Sequence, residues 1–281
     1  MIIDSHCHAW ERWPYDEPVP DRESRGRAEQ LLYEMDLNGI DKAVVICAGL
    51  GGNDGNNRYV AEHPQSRAGR LIPFADIDSR WLATHKTAGG GDRLRAAVAA
   101  WNLRGFTHYL NEDDDGDWLL TADGLAFLGA ASDLGLILSL ACCPRHLRVV
   151  TAIAERFPTL PIICHHMALI SVAAEARRSG LVEVAAAARH PNVFIKISGF
   201  GYVAPPTGRH PYEETGWVVR ALYEFFGAER LCWGSDYPVV RRYMTYRQSL
   251  DVARHHCGFM QPVELDLVFG GTIARLVAVA P

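Results

Sequence analysis

Two histidines, one residue apart, close the apolar opening of this chain, Met1-Ile2-Ile3-Asp4-Ser5-His6-Cys7-His8-Ala9-Trp10. On a β-strand alternate side chains share a face, ~6–7 Å apart. His6 and His8 therefore aim both imidazoles one way while Cys7 faces the other. Two neutral imidazoles converging at a strand end suit a divalent ion such as Zn²⁺. Alone, such a pair reads equally well as a solvated strand end. However, further polar groups stand at or near the ends of other apolar runs: His108, His165 and His166 after Ile162-Ile163-Cys164, Lys196 and Ser198, and Trp233-Gly234-Ser235-Asp236-Tyr237-Pro238. Lys, His and Asp are costly to bury without partners. Their recurrence at run ends describes a ligand or metal pocket better than it describes packing.

Positioning these groups requires strands, and the chain supplies eight. Short runs rich in Val, Ile, Leu and Phe fall near residues 2–10, 42–48, 71–78, 103–110, 136–143, 160–167, 192–198 and 230–236. Amphipathic stretches lie between them, near 28–38, 93–101, 124–134, 145–157, 172–188 and 213–226, with two more near 245–256 and 262–277. Nearly continuous apolar strands alternating with helices predict a parallel sheet covered by helices. The chain's 281 residues fit a closed (β/α)8 TIM barrel with an extra C-terminal helix, in one domain over 1–281. A doubly wound open sheet is the alternative, weakened because no Gly-x-Gly-x-x-Gly follows the first strand. In a barrel the active site forms at the C-terminal strand ends, where the polar groups fall. The loop 199–210, with Pro205-Pro206, reads as a lid or pocket wall.

Bulk properties narrow the partners. A composition 48% hydrophobic and 22% charged is that of a globular protein, and the formal charge of −5 argues against nucleic acid or an anionic membrane surface. No apolar run approaches a membrane span, and the strand-like opening does not read as a signal peptide. Seven cysteines, an odd number without a Cys-x-x-Cys pair, fit buried reduced thiols in a cytoplasmic protein better than a disulfide framework. A small-molecule substrate is expected, and the arm 10–20 leaves a homodimer open.

The combination of His-x-His, Ile-Cys-His-His-Met (163–167), Val-Phe-Ile-Lys-Ile-Ser (193–198) and Phe-Gly-Ala-Glu-Arg-Leu-Cys-Trp-Gly-Ser-Asp-Tyr-Pro (226–238) resembles the amidohydrolase superfamily over essentially the whole chain. Within it, the chain resembles the amidohydrolase-2 branch of sugar-acid and pyrone-dicarboxylate lactonases and related decarboxylases. The resemblance implies a (β/α)8 barrel in which His6 and His8 are the first-strand pair. It also makes Asp236 the general base and a candidate metal ligand, and gives His166 the sixth-strand histidine position. His165 then stays behind it or faces outward, since neighbours on a strand point opposite ways. Two departures stand out. Residues 138–143 lack the fifth-strand histidine of metal-dependent members, and 106–108 lack the fourth-strand lysine of binuclear ones. The family's Asn in the final turn is also missing, replaced within Gly270-Gly271-Thr272. A bridged two-metal site is therefore not expected. One divalent ion, Zn²⁺ foremost, on His6, His8 and Asp236 with or without His166 is one version of the site, and a metal-free version is the other. Cys142 and Cys143 read as buried thiols rather than ligands.

The expected chemistry is hydrolysis of a small carboxylated or hydroxylated carbonyl compound, a lactone foremost, with Asp236 activating water and His166 assisting. A non-oxidative decarboxylase on the same barrel and a catalytically silent ligand-binding barrel are the alternatives. For substrate contacts, Lys196 reads as a partner for a carboxylate or as a strand-end lysine reaching water. Arg104, Arg145, Arg241 and Arg242 are further cations, of which no more than two should face the pocket. Trp10, His108, Tyr202, Trp233 and Tyr237 read as pocket walls or as core.

Overall fold

The computed structural model describes residues 1–110, 113–173 and 177–279. Eight parallel strands follow one another in chain order around a nearly closed barrel: β1 (Ile3–Cys7), β2 (Lys42–Cys47), β3 (Leu71–Asp76), β4 (Gly105–Tyr109), β5 (Ile137–Ala141), β6 (Ile162–Cys164), β7 (Val193–Ile197) and β8 (Leu231–Trp233). The arrangement is a (β/α)8 TIM barrel, as the alternation of apolar runs and amphipathic stretches predicts. Nearly every strand residue is buried, because one face meets the barrel interior and the other meets the helices.

The two faces carry different cores. Inward-facing Ile3, Val44, Ile46, Ile72, Phe74, Ile137, Ile163, Phe194 and Cys232 pack together inside the barrel, and Ile273 of the C-terminal helix Thr272–Val279 joins them. Outward-facing side chains such as Phe106, Leu138 and Trp233 belong to the larger core under the helices. The period of two thus decides which residue of each strand can reach the mouth of the barrel. In β1 the register against β2 slips between Asp4 and Cys7. This irregularity carries the inward series from Ile3 to His6, a change of phase that a strict alternation would forbid.

Closure falls to β1 and the segment just after β8. The Asp236 N–H donates to the His6 carbonyl (2.8 Å), and the His8 N–H donates to the Tyr237 carbonyl (2.6 Å). Asp4 reinforces the seam. Its fully buried carboxylate accepts from the His6 and Ser235 N–H groups, the Ser235 hydroxyl and the Tyr246 phenol. Gly234 sits at the same seam, where a Cβ would lie 2.6 Å from the His6 Cβ. Gly234→Ala is therefore expected to push His6 out of place. It should cost about 1–3 kcal/mol in stability, read by thermal melting.

Several boundaries differ from the periodicity. The helix expected over 172–188 is described as Arg177–Ala188, and residues 174–176 lie outside the described residues. The helix expected over 262–277 is divided into Pro262–Asp266 and Thr272–Val279 by a wide turn, Leu267–Gly271. Gly270 is needed there, since a Cβ would meet the Met1 carbonyl at 2.4 Å. Among the described residues, no helix is long and apolar enough to cross a membrane.

Candidate active site and metal centre

The C-terminal mouth of the barrel opens into a cavity of about 800 Å³. His8, His166 and Asp236 face it beside Trp10, Tyr15, Trp81, Tyr109 and Tyr202. Asp236 Oδ1 stands 3.5 Å from His6 Nε2, 3.3 Å from His8 Nε2 and 3.9 Å from His166 Nε2. The other carboxylate oxygen, Oδ2, accepts the Tyr202 phenol proton at 2.6 Å. Residues 230 positions apart in sequence thus share one small volume, with one carboxylate oxygen anchored and the other aimed at three imidazoles.

The hydrogen-bond partners of these rings define what the centre can hold. His8 Nδ1 lies 2.9 Å from the Ile46 carbonyl, which can only accept, so Nδ1 carries a hydrogen. A neutral His8 then turns its Nε2 lone pair toward Asp236 Oδ1. Two acceptors 3.3 Å apart are satisfied by a cation or a proton between them. Among the described residues His6 Nε2 has no hydrogen-bond partner; it is buried and faces the same oxygen. Its Nδ1 lies 2.8 Å from the amine of Lys196, which burial pulls down to about 7. In its uncharged form, which this shift brings within reach of neutral pH, the amine accepts from His6 Nδ1–H and leaves the Nε2 lone pair pointing into the gap. The donor set of His6, His8 and Asp236, with a carbonyl behind one ligand and an amine behind the other, therefore fits a divalent ion.

Burial and mutual proximity shift the titrations apart. Burial holds His6 and His165 well below their ordinary value, with the nearby Lys196 acting in the same direction. Burial brings His166 down to about 4 although Asp236 pulls the other way. Burial opposes the charge on Asp236, but His166, His8 and the Tyr202 hydrogen bond outweigh it and keep the carboxyl below its usual range. A carboxylate thus faces two neutral imidazoles, those of His6 and His166, at neutral pH.

These shifts carry a prediction for stability. Folded His108 and His166 take up protons only near pH 4, whereas in the unfolded chain they do so near 6.5. The unfolded state binds more protons in that window, so the stabilisation is complete above about 6.5 and drains away as pH falls toward 4, on the order of 3 kcal/mol for each. Buried Asp4 and Asp76, both raised to about 6, act in the opposite direction. With His6 and His165 also depressed, the imidazoles outweigh the carboxyls. The melting temperature should fall steadily from pH 7 to 4.5, and a flat or rising curve would contradict this assignment.

Sequence reasoning placed some side chains differently. His108 shares the outward face of β4 with Phe106, because two positions separate them, and it packs against Trp118 and Phe127 under the helices. Tyr109, one residue on, is the β4 residue that lines the cavity. Tyr237 and Trp233 likewise face outward from the barrel, both packed against Tyr246. Lys196 does point inward but lies below the mouth, fully buried, donating to Ser139 Oγ at 2.6 Å. It is neither a wall residue nor a lysine reaching water. His165 and His166 both turn inward, since β6 ends at Cys164 and His166 has a left-handed backbone, φ 48°. His165 sits beneath the centre, its ring 4.4 Å from that of His6 and its Nε2 2.7 Å from Ser139 Oγ. Of the four arginines considered, Arg145 lines the cavity, while Arg241 pairs with Asp21 and Arg242 with Glu17. Tyr15, Arg80, Trp81 and Tyr109 belong to the wall but were not expected. Arg80 and Trp81 follow β3 closely, which is the signal that could have revealed them.

Comparison with known proteins agrees with the barrel and gives its family. The family model described as amidohydrolase matches residues 3–279. An L-fucono-1,5-lactonase of Burkholderia ambifaria is 34% identical over 279 residues, covering 96% of this chain and 92% of that protein. Among solved structures, an amidohydrolase from Burkholderia multivorans with bound zinc has a TM-score of 0.80 at 22% identity, over 100% of both chains. A structure from Pseudomonas putida that bears the name 2-pyrone-4,6-dicarboxylic acid hydrolase has a TM-score of 0.77 at 19% identity, over 100% of this chain and 98% of that one. At these identities the two structures speak for the barrel alone. On the family match and the 34% identical relative together, this chain belongs to the amidohydrolase family.

Proposed function

We propose that this protein is a lactonase that hydrolyses small hydroxylated lactones of sugar acids. The observation that carries the reading is Asp236, a buried carboxylate with one oxygen held by Tyr202 and the other facing three imidazoles at the floor of an open cavity. The 34% identical relative bears the name of a sugar-acid lactonase, and the cavity wall is of matching chemistry. Tyr15, Trp81 and Tyr109 offer aromatic faces to a sugar ring, and the phenols offer hydrogen bonds to its hydroxyls.

In this reading Asp236 takes the proton of the attacking water on Oδ1 and later returns it to the ring oxygen that leaves. Tyr202 keeps Oδ2 occupied, so the proton has one address. His166 Nδ1 is 3.0 Å from the Ser198 hydroxyl. When that hydroxyl donates, the ring's hydrogen stands on Nε2, available to the oxygen that gains charge as water adds. His6, His8 and Asp236 would hold a divalent ion, which supplies carbonyl polarisation and a lowered pKa for bound water.

Two experiments test the reading. Proton release should accompany the opening of L-fucono-1,5-lactone or a related sugar-acid lactone. A panel in which no sugar-acid lactone reacts would overturn it, and CO2 release from an aromatic acid would favour the decarboxylase alternative. Separately, calorimetric titration of chelator-treated protein with Zn²⁺ should show one site, weakened on the order of tenfold or more by His8→Ala. Equal heats for both proteins would remove His8 from the ligand set.

A further inference from the structure

Beyond the hydrolytic centre, the opposite wall of the same cavity carries a thiol that is not packed away. Six of the seven cysteines are buried, whereas Cys143 is half-exposed and lines the cavity. It stands two residues beyond the end of β5, in phase with inward-facing Ile137, Ser139 and Ala141. Three residues on, the ring of His146 is almost wholly buried, with Nδ1 3.5 Å from Cys143 Sγ. The orientation of that ring is fixed from both sides. His146 Nε2 lies 2.5 Å from the Asp114 carbonyl, which only accepts, so Nε2 carries the hydrogen. The longer approach of Arg145 Nε to the same nitrogen, 3.3 Å, cannot be served at the same time. The Nδ1 lone pair therefore faces the thiol, and it also receives the Cys143 N–H at 3.2 Å. A nucleophile, a base that can take its proton and a carbonyl that fixes the tautomer of that base are together on the wall of an open pocket.

We propose that Cys143 and His146 form a thiolate–imidazole pair that makes this wall a covalent modification site for small α,β-unsaturated carbonyl compounds. His146 Nδ1 takes the thiol proton, and the thiolate sulfur bonds to the β-carbon of the electrophile. The π pair of the C=C bond moves to the α-carbon, which takes the proton back from His146, leaving a thioether and a neutral ring. Burial alone would raise the Cys143 thiol, but the hydrogen bond and charge of His146 outweigh it and hold the thiol below its ordinary value. The product stands in the cavity that Asp236 and His166 also line, so each modified molecule has its pocket filled.

The test is labelling of the folded, full-length protein with N-ethylmaleimide at pH 6, followed by intact mass and peptide mapping. It needs no lactone and stands or falls independently of the hydrolase reading. One adduct is expected, on Cys143, formed on the order of tenfold faster than on free cysteine at the same pH. Its rate should level off at a lower pH than that of free cysteine. His146→Gln should return the rate to that of an ordinary thiol, and Cys143→Ser should leave the folded protein unlabelled. A rate in the native protein no faster than free cysteine, an adduct on another cysteine, or an unchanged rate in a folded His146→Gln protein would each overturn the proposal.

Discussion

Asp236→Asn is expected to lower turnover of the lactone substrate by on the order of a thousandfold while leaving the fold in place. The amide keeps an oxygen that can accept from the Tyr202 phenol, so the side chain stays where the 2.6 Å contact holds it. Its NH2 group then faces the His8 Nε2 lone pair and can donate to it. What disappears is the capacity to take a proton, and with it the negative charge at the centre. The loss should therefore fall on kcat more than on KM. Circular dichroism and melting should be close to those of the parent protein, and zinc affinity should drop with the lost carboxylate. A variant that retains turnover within about fivefold of the parent would remove Asp236 from the role of base, since general-base catalysis contributes far more than that.

Asp4→Ala should have the largest effect on stability. Asp4 receives the N–H and O–H of Ser235 across the β1–β8 seam, the His6 N–H of its own strand and the Tyr246 phenol, all buried. Alanine leaves the four donors facing a space where the carboxylate was, and unsatisfied buried donors cost about 1–3 kcal/mol each before relaxation. The two hydroxyls can turn toward other acceptors, but the two amides cannot. A destabilisation of about 4 kcal/mol follows, which in a chain of this size lowers the melting temperature by roughly 8 °C. Asn at this position should cost less, because its carbonyl oxygen still serves the two amides. Chemical denaturation of both variants checks the order, and an alanine variant as stable as the asparagine one would show that the seam does not depend on this residue. The same substitution should lower activity, because His6 and Asp236 are both attached to that seam.

The architecture could be read from the chain because buried parallel strands leave a strong linear signature, apolar runs separated by amphipathic stretches. The composition of the centre could be read for a related reason. His6, His8, His165, His166 and Asp236 stand at or just beyond the ends of those runs, where packing alone does not call for them. The errors of placement have equally definite causes. His108 stands at a strand end, yet its parity with Phe106 sends it to the helices, while Tyr237 lies four residues past β8, beyond left-handed Asp236, and packs against Tyr246. The exclusion of one of the two adjacent histidines relied on an extended backbone that in fact ends at Cys164. Cys143 was grouped with buried thiols, although the alternation along β5 puts it on the cavity wall.

By itself, the sequence determined the barrel, the end of it at which the polar side chains gather, and the pairing of a histidine couple with a distant carboxylate, because all of these depend on pattern along the chain. The tertiary structure alone decided depth and facing partners. It sank Lys196 beneath His6, raised Tyr202 onto Asp236, used Asp4 to close the seam and set His146 behind Cys143. Apart from the local Cys143–His146 pair, those relations depend on the stagger between strands and on the course of the loops, which bring together groups tens to hundreds of residues apart. Spacing along one strand carries no information about what stands across the barrel from it.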